Sequence, residues 1–276
     1  MKFHWTSSKT RWKDSLTFSL AILTTIQAIA EVTGMVKFVF FASLSWWVKL
    51  LLIFSIFVGL TIGAFIVKLL LSLKGIRLTV GDNEVQISRA NIFKQKGLKL
   101  IPFNEYFDTR VDDVIIAHNS LNGIFIDKYV GNIDDLRRTI QNAADEKGGM
   151  LHSVKGKNKY PLGRIIRFKG YLLLAFTHFN ENNNAFLSHT DYEKCLIKMW
   201  QEIDRVYANT PIFLPLLGSG ITRFIDTPHK DHYSLIRCIL CTLKMSGVHL
   251  KQPISICLTS NIMSELNIYE LKNTVL

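Results

Sequence analysis

Cysteine is scarce in this 276-residue chain, and none precedes residue 195. The four present, Cys195, Cys238, Cys241 and Cys257, have neither a second close pair nor a histidine cluster at zinc-ligand spacing. Cys238 and Cys241 form a CxxC, but it lies inside an apolar helical run, LIRCILCTL, so buried reduced thiols are expected, as in a cytosolic domain. Acidic residues are also in deficit, 22 against 33 Lys and Arg, for a formal net charge of +11. The basic excess is scattered along the chain, which argues against the clustered face of a nucleic-acid binder. No internal repeat or low-complexity tract is present, and no small-residue cleavage site follows the first apolar segment, so a cleaved signal peptide is not expected. Nothing in these patterns calls for a metal, a cofactor or a catalytic residue.

What the sequence does have is one long run without charge. Residues 50–67, LLLIFSIFVGLTIGAFIV, are followed by Lys68 and then Leu69, Leu70 and Leu71. At about 1.5 Å per residue this stretch covers roughly 27 Å, close to the ~30 Å hydrocarbon core of a bilayer. A transmembrane helix over about 50–71 is therefore expected, with Lys68 reaching toward the headgroups. A weaker partner span is placed at about 15–36, interrupted by Glu31; the alternative is an amphipathic or re-entrant segment. Trp5, Trp12, Trp46 and Trp47 suit the membrane interface. Lys2, Lys9, Arg11 and Lys13 precede the first span, and Lys74 and Arg77 follow the second. This positive-inside bias predicts a multi-pass membrane protein with both termini cytoplasmic, residues 1–14 forming a basic tail. Gly59 and Gly63 make a GxxxG that permits close helix approach.

Beyond a linker at 74–83, apolar runs alternate with polar segments. Strands are expected at 84–92, 98–103, twice within 164–178, at 211–217 and at 253–259. Helices are expected from 112 to 119, with Asp112 and Asp113 in the first turn, and at 133–145, 191–208, 232–246 and 265–272. Strands alternating with helices predict an α/β three-layer domain with a mixed sheet over 84–276, behind an N-terminal transmembrane α-hairpin. The apolar strand at 211–217 runs into Gly218-Ser219-Gly220, followed by Ile221 and Thr222. Two glycines there allow peptide N–H groups to converge on an anion such as a diphosphate. Asn104, Glu105 and Asp108 leave another strand and are candidates to reach ribose hydroxyls. Ser120, Leu121, Asn122 and Gly123 form a third polar loop, and residues 178–184 a fourth. Ligands of open α/β sheets lie at the carboxyl ends of the strands.

Three segments together, FNEYFDTR (103–110), LLAFTHF (173–179) and PLLGSGITR (215–223), resemble the macro domain of the Thoeris antiphage effector ThsA family, in its form with two transmembrane segments. The resemblance spans about 84 to 272 and implies a macro-like fold. It implies that Gly218, Ser219, Gly220, Ile221 and Thr222 match the diphosphate loop and that Asn104 lies near the distal ribose. Ser120 to Gly123 stand where the family has a glycine-rich phosphate loop, with one glycine only. Asn91 stands where macro domains place an Asp near the adenine. The implied ligand is an ADP-ribose-type nucleotide, expected to be histidine-linked ADP-ribose, made from NAD by a TIR-domain partner. The implied output is homo-oligomerisation in the lipid bilayer and membrane disruption during phage infection. Two other readings stay open. One is a membrane-tethered ADP-ribosyl hydrolase using Asp108, Glu105 or His178 as acid or base. The other is an adaptor that binds a protein and no nucleotide.

Overall fold

An uncharged apolar run has no way to satisfy its backbone in lipid except as a helix. In the computed structural model it lies within helix α2 (Trp46–Leu73), preceded by helix α1 (Trp5–Val32). The structure describes residues 5–32, 45–73, 75–145, 152–154, 157–180, 184–226 and 231–266. They divide into two units, the first holding the described residues up to 73 together with 264–266 and the second those from 75 to 263.

In the first unit α1 and α2 pack against each other, with the Trp12 and Phe65 rings stacked at 4.6 Å. Ser15, Ser19 and Thr61 are buried, while Leu51, Phe54 and Val67 are exposed. Ser19 Oγ donates to the Ser15 carbonyl at 2.8 Å and Thr61 Oγ1 to the Phe57 carbonyl at 2.8 Å, so each hydroxyl is satisfied within its own helix. Small hydroxyl residues inside and large apolar ones outside is the arrangement of helices packed in lipid. Among the described residues, only Trp46–Val67 is long and apolar enough to cross a membrane. Helix α1 starts about ten residues before the expected first span, and the Glu31 side chain and residues 33–44 lie outside the described residues. The GxxxG is not used between these helices: Gly59 and Gly63 are exposed, and a Cβ on either would meet nothing within 4 Å.

The second unit opens with a correction. Residues 74–83 are not a linker, because β1 (Ile76–Val80) pairs antiparallel with β2 (Asn83–Arg89). Its alternation buries Leu78 and Val80, a period-2 signal that a short segment beside a long apolar run hides. The 3₁₀ turn Ile92–Lys94 and β3 (Leu98–Asn104) follow, then α3 (Leu121–Tyr129) and α4 (Ile133–Asp145). Next come β4 (His152–Val154), β5 (Lys157–Lys159), β6 (Ile165–Phe168), β7 (Tyr171–Phe179) and β8 (Ala185–Leu187). The described chain continues with α5 (His189–Val206), β9 (Ile212–Pro215), β10 (Arg223–Phe224), α6 (His232–Ser246), β11 (Ile254–Leu258) and α7 (Ser260–Glu265). Most of the helix expected at 265–272 lies outside the described residues.

The main sheet runs β1-β2-β11-β9-β3-β7-β8-β10, with β6 paired antiparallel to β7. Strands β2, β11, β9, β3 and β7 are mutually parallel, and the antiparallel pairs sit toward the edges, so the sheet is mixed as expected. On one face Ile101, Phe103, Leu173 and Ala175 meet Phe125, Leu136 and Ile140 of α3 and α4. Successive strand residues point to opposite faces. The other face is covered by α5 and α6, which carry buried Leu196, Met199, Trp200, Ile236 and Ile239. Trp200 is fully buried, and its Nε1–H donates to Thr242 Oγ1 at 3.3 Å.

The expected helix at 112–119 does not form. Asp112 Oδ1 accepts the N–H groups of Val114 and Ile115, and Asp113 Oδ1 accepts that of His118. These side chains compete with a helical backbone and hold turns instead. The helix starts after Ser120, whose Oγ accepts the Gly123 N–H at 3.0 Å.

Trp200→Ala is expected to destabilise the domain by about 3–5 kcal/mol, through the lost transfer energy and the cavity left behind. Trp200→Phe should cost clearly less; thermal unfolding in detergent micelles measures both.

Candidate functional site

Five parallel strands place their carboxyl ends on one edge of the sheet. The ends of β3, β7 and β9 wall a cavity of about 410 Å³. A register shift between Phe103 and Asn104 lets Asn104 pair with Thr177 rather than the next residue in line. Such a bulge re-aims side chains locally, and both Phe176 and Thr177 line the cavity. A second cavity of about 660 Å³ lies at the ends of β2 and β11, lined by Asn91, Phe93, Tyr129, Cys257 and Thr259 among others. Leu121 and Pro215 line both, so the two spaces adjoin across the end of β9.

Nine of the twelve residues singled out from the sequence share the first cavity: Asn104, Ser120, Leu121, Asn122, Gly218, Ser219, Gly220, Ile221 and Thr222. Glu105, Asp108 and Gly123 do not line it. Gly123 lies behind it, where a Cβ would collide with the Ala117 carbonyl. The stretch 120–123 is the first turn of α3 rather than a loop. The N–H groups of Leu121 and Asn122 make no hydrogen bond among the described residues, as helix geometry leaves them.

The opposite wall is the Gly-Ser-Gly turn. Gly218 has φ +85°, and a Cβ there would press on Phe224 and Leu235 at 3.1 Å, so only glycine fits. The buried Tyr192 hydroxyl donates to the Leu217 carbonyl at 3.0 Å and anchors the turn on α5. Ser219 is turned inward: its N–H and Oγ both donate to the Leu216 carbonyl, at 3.3 and 2.6 Å. The amides of Gly220, Ile221 and Thr222 have no partner among the described residues. A helix N-terminus and an amide-rich turn thus border one space, which suits a phosphate-bearing anion. Among the described lining residues there is no Asp, Glu, His, Lys, Arg, Cys or Tyr.

Asn104 is partly engaged. Its Oδ1 accepts the N–H groups of Tyr106 and Asp108, and its Nδ2 donates to Asp108 Oδ2 at 2.9 Å, which leaves one N–H free. Asp108 is paired with Lys157 at 2.6 Å. Glu105, a candidate to reach a ribose hydroxyl, is instead only 2% exposed. Its Oε2 lies 2.6 Å from His178 Nδ1 and 3.1 Å from Lys159 Nζ, and its Oε1 accepts the Phe179 N–H at 3.4 Å. Burial pushes the carboxyl up, but the hydrogen bonds and charges of His178 and Lys159 outweigh it and hold the pKa below its ordinary value. Glu105 therefore ties β5 and β7 to the end of β3. Burial alone pushes the Cys257 thiol, beside the second cavity, up to about 11, so it stays protonated and unreactive.

Sequence reasoning missed the walls at Ile115, Ile116 and Ala117, read as helix, and at Phe176, Thr177, Phe179 and Ala185. Phe179 lies within the loop recognised at 178–184 and Ala185 directly after it, and the strand-end rule points to them. The parallel-stacked Phe93 and Tyr129 rings, 4.4 Å apart in the second cavity, had no sequence signal because 36 positions separate them.

The family described as Thoeris protein ThsA, Macro domain, matches residues 85–259. A Thoeris protein ThsA of Bacillus amyloliquefaciens (strain Y2) is 36% identical over 234 residues, covering 80% of this chain and 78% of that relative. Among solved structures, an Oceanobacillus iheyensis macrodomain with ADP aligns at TM-score 0.48 and 13% identity, over 73% of this chain and 96% of that one. The same macrodomain with MES bound aligns at TM-score 0.49 and 13% identity, over 73% of this chain and 97% of that one.

Because the Glu105 pKa is lowered in the folded state, its contribution is present above the unfolded value of about 4.3 and is lost as pH falls through the folded value. Melting temperature should therefore drop on acidification below about pH 4.3. Glu105→Gln should lower it at neutral pH and flatten that acid limb.

Proposed function

The chain belongs to the Thoeris ThsA macro-domain family, and on that footing we propose that it is a membrane-embedded receptor-effector. Its macro domain binds an ADP-ribose-derived messenger, expected to be histidine-linked ADP-ribose, which a TIR-domain partner makes from NAD. Occupancy drives homo-oligomerisation of the membrane helices, disruption of the bilayer, and death or arrest of the infected cell. The single observation that carries this reading is the chemistry of the first cavity. It borders unpaired amides from two walls, and no titratable side chain is found among its described lining residues. Backbone amides bind a diphosphate without an acid or base to turn it over. The adjoining cavity with the Phe93–Tyr129 pair extends the site by enough to hold a further planar group.

The helix Trp46–Val67 supports the membrane half of the proposal. Gly59 and Gly63 supply an outward face on which helices of other copies can approach closely. A ligand shifts such an assembly only by binding one state better than the other. The domain is therefore the sensor and the helices are the output.

Calorimetry of the full chain in detergent with ADP-ribose and its conjugates tests the proposal. Saturable binding with the nucleotide recovered intact is expected. Absence of binding would leave an adaptor, and recovery of cleaved product would make the protein a hydrolase. Gly220 is not among the positive-φ glycines and has open space at its Cβ position, so Gly220→Phe should abolish binding by filling the cavity while leaving the melting temperature within a few degrees. Doubly replacing Gly59 and Gly63 by Leu should do the reverse: binding persists, but ligand-triggered killing of expressing cells is lost.

A further inference from the structure

We infer that the outer edge of β1 is a docking edge for a second copy of this chain, whose own β1 pairs with it antiparallel about a two-fold axis at Leu78; this rests on the homo-oligomerisation reading above. β1 ends the sheet, and no described strand pairs with its outer side. The two-residue turn Gly81–Asp82 makes Val80 and Asn83 the closing hydrogen-bonded pair of the hairpin. Bonded and non-bonded pairs alternate from there, so Ile76, Leu78 and Val80 bond to β2 while the peptide groups of Arg77 and Thr79 face outward. The Ala90 N–H, donated to the Leu258 carbonyl, gives the same parity, with even-numbered residues beside β11 and odd-numbered ones beside β1. Sheet edges are ordinarily blunted by proline, bulges, inward charges or brevity. β10, at the other end, has two residues, but β1 has five in unbroken register, without proline, bulge or inward charge.

Charge and tether identify the occupant. Arg77 and Glu84 are exposed, and neither side chain has a hydrogen bond or ion pair among the described residues. With Leu78 opposite Leu78, each Arg77 stands across from the second copy's Thr79, which is itself opposite Glu84 in its own hairpin. The short threonine lets the guanidinium extend across it toward that carboxylate, so the interface carries two such pairs. An axis at Arg77 would instead set two guanidiniums side by side, a like-charge pair. Directly opposed residues share a face, so Leu78 meets Leu78 and Ile76 meets the second copy's Val80 on the side that each sheet buries. β1 also starts three positions after α2 ends, a tether of at most about 11 Å. Copies gathered through α2 therefore hold their β1 strands at high effective concentration.

The test is disulfide cross-linking between chains carrying Arg77→Cys and chains carrying Thr79→Cys, co-expressed, purified together in detergent micelles with ADP-ribose, and compared with wild type as the blank. In the inferred register these two positions have Cα atoms about 5.5 Å apart, within disulfide reach, whereas like positions are about 7–8 Å apart. A cross-linked dimer is expected from the mixture and from neither variant alone. Light scattering should show Arg77→Glu raising the concentration for half-assembly about threefold, and Arg77→Glu combined with Glu84→Lys restoring it. Melting temperatures should hold, because both side chains are exposed. Cross-linking of Arg77→Cys alone would place the axis elsewhere and overturn the inference. So would an Arg77→Glu variant that assembles as wild type does, or a loss that the double variant fails to recover. Monomers at every concentration, with or without ADP-ribose, remove the oligomerisation reading and this inference together; assembly without cross-linking in the mixture removes this inference alone.

Discussion

The hydrogen bond from the Tyr192 hydroxyl to the Leu217 carbonyl ties α5 to the turn that closes β9. Tyr192 is completely buried between Phe176 and Phe224, so the bond is shielded from water and its geometry is set by packing. A peptide unit is planar and trans, so a Leu217 carbonyl that faces Tyr192 turns the Gly218 N–H the other way. The positive φ of Gly218 then reverses the chain, and Ser219 folds inward onto Leu216. The amides left over are those of the following residues. The wall proposed to bind the anion thus depends on one buried phenol, one glycine conformation and one serine.

The other wall obeys the same logic from the opposite direction. Asp112 and Asp113 hold turns, Ser120 caps α3, and Gly123 lets the helix press on the Ala117 carbonyl. That close approach brings the first turn of α3 to the sheet edge. The charged groups nearby, Glu105, His178, Lys159, Asp108 and Lys157, pair with one another beside the cavity instead of lining it. Charge is used to join β3, β5 and β7, and the space between the walls is left to neutral donors and acceptors. A site built this way suits the binding of a phosphorylated sugar proposed above.

In the first unit the hydrophobic pattern is inverted relative to the second. Its small hydroxyl residues are inside and its large apolar residues outside, whereas the sheet buries its Leu, Ile and Phe between layers of helix. Such an inversion is what a lipid surrounding, in place of water, favours. Among the described residues α2 satisfies the length and apolarity of a span and α1 does not. The weaker helix keeps its serines and threonines bonded to its own carbonyls, which lowers the cost of placing them in an apolar setting.

Sequence alone determined the features that are local or periodic: the uncharged run of α2, the amphipathic α5, the apolar strand ahead of Gly218, and the alternation that predicts a mixed sheet. Nine of the twelve candidate residues gather around one cavity because turn chemistry is written into short stretches, and the strand-end rule points to the same edge. Tertiary structure alone decided the rest. It showed β1 to be a strand by giving it a partner, made turns of 112–119 by giving their acids amides to accept, and buried Glu105 against His178, 73 positions away. It also enclosed the Asn122 Oδ1 without a hydrogen-bond partner among the described residues, although the residue itself was already a candidate from the sequence. Periodicity reports what one element does by itself; burial and hydrogen-bond satisfaction depend on which distant segments arrive beside it.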